Sequence, residues 1–198
     1  SSPLHSNRNI LNPAFLSWLT VPCLIIFTLS CDDSNYPLDN WVDVPLQTME
    51  SPAVFFNPHE ISTNQNGGQL SVGDTFAVNL YALEVENVAG IHFRVEYLRQ
   101  SLELIDIISG ELFVDAYDTL FFWNDSAGSG FFDVYSFYLA TDEYTYSNGT
   151  ASLATAIFRT KNSVDSELIY DRIKTKMVTP DNHPINIKSY GKAVISVE

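Results

Sequence analysis

Apolar and polar side chains alternate with a period of two through the middle of the chain, most clearly over residues 72–108. Phe76, Val78, Leu80 and Ala82 interleave with Thr75, Ala77, Asn79 and Tyr81. After Val88-Ala89-Gly90, Ile91, Phe93, Val95 and Tyr97 interleave with His92, Arg94, Glu96 and Leu98. Successive strand side chains point to opposite faces, so each run predicts a strand with one apolar and one mixed face. A third apolar run, residues 102–108, follows closely. Three such runs without a helical period predict an antiparallel sheet that buries one side.

The same reading extends along the rest of the chain. Residues 53–57 and 60–63 predict a first strand broken at Pro58, as at a sheet edge. Residues 119–124 and 131–140 predict two aromatic strands around a Gly- and Ser-rich turn. The second of these carries Phe132, Val134, Ser136 and Tyr138 on one side and Phe131, Asp133, Tyr135 and Phe137 on the other. Asn148-Gly149 marks a hairpin turn into residues 150–161, where Ala154 and Ala156 permit close sheet-to-sheet approach. Residues 167–173, 185–188 and 192–197 complete the pattern. Nine or ten short strands with no helix predict two sheets packed face to face, an all-β sandwich.

Composition narrows the partners. The 198 residues include 24 acidic and 10 basic side chains, a net charge of −14. Such a surface repels phosphate backbones and disfavours nucleic acid, so no nucleic-acid partner is expected. Residues 14–30 form an uncharged apolar run with Arg8 before it. Its length suits a signal-peptide core and is short for a membrane span. Ser30 precedes Cys31 and a polar Asp32-Asp33-Ser34-Asn35 follows, a pattern that resembles the lipobox of bacterial lipoproteins. Thr28 and Leu29 depart from that pattern, and a plain secretion signal or an uncleaved anchor are the alternatives. The expected organisation is a signal peptide over 1–30, lipidation at Cys31 with membrane attachment through that lipid, a tether over 31–52 and one domain over 53–198. The tether is expected to be a mobile linker; the alternative is docking on the domain through Trp41 and Val44. With Cys23 inside the leader, the domain holds no thiol, so neither a disulfide framework nor a cysteine metal site is expected.

Several segments, in order, resemble the cohesin domain family. They are Val72-Gly73-Asp74-Thr75-Phe76 opening a strand, Ala89-Gly90-Ile91-His92-Phe93-Arg94-Val95-Glu96-Tyr97, Ser101-Leu102-Glu103-Leu104, the run from Asn148-Gly149-Thr150 to Phe158-Arg159-Thr160-Lys161, and the terminal Tyr190-Gly191-Lys192-Ala193-Val194-Ile195-Ser196-Val197. One departure is Leu98-Arg99-Gln100, where cohesins usually have an Asp-Pro turn. The resemblance covers residues 53–198. It implies a nine-stranded jelly-roll β-sandwich, related in architecture to carbohydrate-binding modules. It also implies a non-catalytic role in docking dockerins, small helical modules that carry their own calcium, in settings tied to polysaccharide breakdown or surface assembly. In the family the dockerin lies against the sheet containing the second of the strands above. By parity, His92, Arg94 and Glu96 are the outward residues there and the expected partner-binding set.

Two other chemistries compete. Rings stack on the apolar faces of pyranosides, so the aromatic strands also predict a polysaccharide-binding platform, with Trp123, Tyr144 and Tyr146 nearest to turns. A sandwich core needs aromatics too, and core packing is the default for the cluster. Catalysis has little support. Acidic residues such as Asp106 and Asp133 abound, but the chain has no Gly-x-Ser-x-Gly elbow and no His-Glu-x-x-His. His5, His59, His92 and His183 have no metal-ligand spacing, and Asp115, Asp118, Asn124 and Asp125 lack the EF-hand pattern. No enzyme activity, cofactor or metal is expected; a surface domain without a ligand is the remaining alternative.

Overall fold

The computed structural model describes residues 34–114, 119–126, 128–139 and 146–198. The leader, Cys31 and Tyr144 lie outside the described residues. Thirteen strands follow one another: β1 (Ala53–Asn57), β2 (Glu60–Ile61), β3 (Thr75–Val88), β4 (Gly90–Tyr97), β5 (Leu102–Ser109), β6 (Thr119–Asp125), β7 (Phe131–Tyr138), β8 (Ser147–Thr160), β9 (Ser166–Tyr170), β10 (Lys176–Val178), β11 (Pro184–Ile185), β12 (Ser189–Tyr190) and β13 (Lys192–Ile195). Among the described residues the one helical turn is a three-residue 3-10 helix, Val44–Leu46. No described helix is long and apolar enough to cross a membrane. The all-β sandwich is as predicted. The strand number exceeds nine because β2, β10, β11 and β12 are fragments of two or three residues along the sheets.

One sheet has the order β12-β1-β3-β8-β5. The other runs β11-β10-β4-β9-β13-β2, with β7 paired to β4 and β6 to β7. The three runs over residues 72–108 therefore do not form one sheet. β3 and β5 both pair with β8, while β4 belongs to the opposite sheet. Only Ala89 separates β3 from β4, too few residues for a hairpin reversal. The chain turns a corner there and carries its apolar parity into the facing sheet. Asn148-Gly149 is likewise not a hairpin turn. It lies inside β8, where Gly149 has a φ of +90° and faces Val85 at an irregular stretch of the β3 ladder. The residue pair that favours tight turns serves a bulge instead, matched by positive φ at Glu84 and Asn87.

The inward residues of both sheets form one core that includes Phe76, Val78, Leu80, Phe93, Val95, Phe132, Val134, Ala154, Ala156 and Phe158. Phe158 is completely buried and packs against the rings of Tyr97, Phe76 and Phe132 at 5.5, 5.6 and 6.0 Å. Tyr170 stacks on Phe56 at 4.3 Å, and its hydroxyl donates to the Phe55 carbonyl at 2.9 Å. The buried phenol thereby keeps its polar end satisfied.

The tether expected over 31–52 is not free in its described part. Tyr36 and Val42 are buried with Ala53, Phe55 and Leu83, and Leu46 and Met49 pack on the same cluster. The cause lies in β1, whose first four residues are all buried. A strand apolar on both faces needs cover on both sides, and residues 34–50 supply the second cover. The Tyr36 hydroxyl donates to the Leu46 carbonyl, and the Asn40 amide donates to the Thr150 carbonyl at 3.2 Å. Trp41 and Val44, the residues of the docking alternative, face solvent at 75% and 54% exposure.

Phe158→Ala removes the ring on which three others pack and should lower the unfolding free energy by about 3–5 kcal/mol. Urea denaturation followed by tryptophan fluorescence measures the loss.

Candidate functional site

β4 places alternate residues on opposite faces as its sequence dictates: Ile91, Phe93 and Val95 enter the core, while His92, Arg94 and Glu96 face outward. Its residues 90–96 pair with β7, and β7 pairs with β6. Residues directly opposite across strands share a face, so the register fixes what surrounds the outward set. Phe122 of β6, Tyr135 of β7, His92 of β4 and Lys176 of β10 fall in one row. The next row contains Asn124, Asp133 and Arg94. On either side of these rows lie Leu120 with Phe137, and Phe131 with Glu96 and Ile169.

The first row is a stack of rings. Phe122 lies on Tyr135 with centroids 4.6 Å apart and planes within 13°. Tyr135 lies on His92 at 4.3 Å and 9°. Phe137 meets Phe122 edge-on at 6.2 Å. The stacking axis runs across the strands, so each ring stands on the sheet and covers its neighbour's face. Tyr135 has a ring on each face, whereas Phe122, on the edge strand β6, has a stacked ring on one face only. Phe122, Leu120 and Ile169 remain 43%, 39% and 42% exposed.

The second row is an internal charge pair. Arg94 donates through Nε and Nη2 to the two oxygens of Asp133 at 2.8 and 2.9 Å. The guanidinium also lies 4.1 Å from the centre of the Phe131 ring. His92 Nε2 is 2.6 Å from Asp133 Oδ1. An ionised carboxylate only accepts, so Nε2 is the protonated ring nitrogen. Burial by itself would raise the Asp133 carboxyl, but the hydrogen bonds from Arg94 and His92 override it and hold the group below the usual carboxylate range. The expected trio of cation, anion and titratable ring is therefore not a set of three free charges. Arg94 and His92 are both engaged with Asp133, and only Glu96 stands exposed. Sequence reading placed Asp133 with Phe131, Tyr135 and Phe137 on one side of their strand but gave no reason to join it to residues some 40 positions earlier. The register does that.

Of the expected sugar-platform residues, Trp123 and Tyr146 are described. Trp123 turns inward with Phe121 and packs on the core, while Tyr146 is 42% exposed. Both faces of β6 are aromatic, and parity alone did not reveal that Phe122, rather than Trp123, points outward.

No family model matches the chain, and no curated protein does. Solved structures do. A non-cellulosomal cohesin from the hyperthermophilic archaeon Archaeoglobus fulgidus superposes with a TM-score of 0.54 at 15% identity, covering 74% of this chain and 91% of that one. A type II cohesin domain from the cellulosome of Acetivibrio cellulolyticus gives 0.60 at 14% identity, with 73% and 95% covered. A type I cohesin–dockerin complex from Clostridium thermocellum gives 0.57 at 15% identity, with 74% and 94% covered. At these identities the likeness is one of fold, and the domain is cohesin-like in fold.

The Asp133 pairing carries a pH dependence. A carboxyl whose folded value lies below its unfolded value stabilises the fold above about pH 4, the ordinary carboxylate range. That contribution is lost as pH falls through the depressed folded value. Asp133→Asn should cost roughly 1.5–3 kcal/mol at pH 7, the worth of hydrogen bonds to a charged group. The gap between variant and parent should narrow in strongly acidic buffer, as read from urea midpoints at the two pH values.

Proposed function

We propose that the outward face of β6, β7, β4 and β9 is a protein-docking surface and that the protein is a non-catalytic, dockerin-binding module. The stacked row Phe122–Tyr135–His92 is the observation that carries this reading. Association is weakened by the entropy of ordering side chains, and these side chains are ordered beforehand by stacking and by the Asp133 pairing. Aromatic residues ringed by polar groups are also the composition of interface hot spots. Lys176 and Glu96 supply the rim. The likeness in fold to cohesins, one of them solved in a type I cohesin–dockerin complex, supports a dockerin-type partner.

The finer setting is part of the same proposal. An apolar run followed by Ser30-Cys31 supports export, lipidation at Cys31 and display at a cell surface, and the resemblance to cohesins supports work connected with polysaccharide breakdown. A role as a carbohydrate-binding module is less well supported. A sugar platform needs several exposed ring faces side by side, whereas the rings of this row stack on one another and Trp123 is turned inward. Acid–base catalysis at Asp133 is disfavoured because its carboxylate is committed to Arg94 and His92.

Calorimetric titration with a panel of calcium-loaded dockerin modules tests the proposal. At least one should bind, and Phe122→Ala should weaken that affinity tenfold or more, the loss typical of truncating an interface aromatic. The half-exposed position predicts little change in melting temperature. Arg94→Glu should also weaken binding, since it breaks the Asp133 pair that orders the face. Equal affinity of the parent and Phe122→Ala for the same dockerin would remove this face from the proposal. Glycan retention lost in Phe122→Ala, without dockerin binding, would assign the face to sugar.

A further inference from the structure

On the outer side of the other sheet, where residues 34–50 lie against β3, three carboxylates converge. Asp39 and Asp43 come from the segment before the Val44–Leu46 turn, and Glu84 comes from the irregular part of β3. One oxygen from each lies within 4.8 Å of those of the other two. Asp43 is wholly buried. Its Oδ2 accepts the Asn40 backbone N–H at 2.9 Å, whereas its Oδ1 is closed off from solvent and has no hydrogen-bond partner. Glu84 Oε1 accepts from the Thr150 hydroxyl at 2.8 Å. Among the described residues, no Lys, Arg or His forms an ion pair with any of the three.

A buried carboxylate oxygen without a partner is costly, and two further carboxylates beside it add repulsion. Either protonation or a bound cation relieves both. Burial raises the Glu84 carboxyl, the Thr150 hydrogen bond opposes that, and Asp43, Asp39 and Glu86 raise it again, as expected of anions lacking a counter-charge. The donors are all hard oxygens, which excludes a preference for soft thiolate metals. Calcium–oxygen distances of about 2.3–2.6 Å put ligand oxygens up to about 5 Å apart across the ion, so the observed spread fits inside one calcium shell.

We propose that Asp39, Asp43 and Glu84 bind a calcium ion that clasps residues 34–50 to the five-stranded sheet. Two ligands come from the segment and one from β3, so the ion links parts of the chain that are otherwise joined by apolar packing and a few hydrogen bonds. Water completes the shell. The site is on the sheet opposite the docking row and is independent of any dockerin and of the calcium that a dockerin carries.

The test uses the protein alone, stripped of metal by chelator and titrated with calcium chloride or magnesium chloride. Calcium should bind one to one. At a hundredfold excess over its dissociation constant it should raise the melting temperature by about 5–10 °C. Protease cleavage within residues 34–50, mapped by mass spectrometry, should slow in parallel. Asp39→Asn, at an exposed position, and the near-isosteric Glu84→Gln should each weaken calcium binding tenfold or more while still folding. Absence of calcium heat, with melting and cleavage unaltered by chelator, overturns the proposal. Calcium binding that survives both substitutions places the ion elsewhere and also overturns it, and an equal response to magnesium overturns the calcium assignment.

Discussion

The corner at Ala89 is the constraint on which the architecture depends. One residue between a fourteen-residue strand and the next cannot reverse the chain, so β3 and β4 must enter different sheets. Their apolar parities then face each other, and the core around Phe158 is the space between them. Burial of apolar area is the dominant favourable term in folding, and here it is obtained by closing two single-faced sheets over each other. Every residue of opposite parity is left on an outer surface. The outer surfaces are consequently not incidental to the fold; they are the complement of the core pattern.

The two outer surfaces are used differently. Outside the eight-stranded sheet, ring stacking across β6, β7 and β4 and the Arg94–Asp133 pair order a face that nothing in the chain covers over Phe122, Leu120 and Ile169 among the described residues. Outside the five-stranded sheet, Ala53, Phe55 and Leu83 are covered by the chain's own residues 34–50. The difference is one of chemistry. Apolar side chains of β1 and β3, Phe55 among them, are hidden by Tyr36, Val42, Leu46 and Met49. On the other face, polar Asp133, Arg94 and His92 hold the rings in place and keep the surface partly hydrated.

Much of the fold was legible because it rests on short-range periodicity. Most strands fell where alternation placed them, and the outward set His92, Arg94 and Glu96 followed from parity alone. Readings that failed were those in which a local signal admits two tertiary uses. Asn148-Gly149 favours positive φ, which suits a hairpin turn and a bulge equally, and the irregular β3 ladder chose the bulge. Residues 34–52 have no period, yet the uninterrupted apolar run at the start of β1 was a signal that something covers its second face.

The sequence by itself determined that the protein is a two-layer β structure and which residues of β4 face out. These follow from side-chain alternation, which needs no knowledge of distant neighbours. Tertiary structure alone decided which strands share a sheet, which aromatic of β6 faces solvent, that Asp133 holds Arg94 and His92, and that Asp39 and Asp43 meet Glu84. Each of these depends on register and docking between segments remote along the chain. Such relations are set by the global closure of the two sheets, and local pattern carries no record of them.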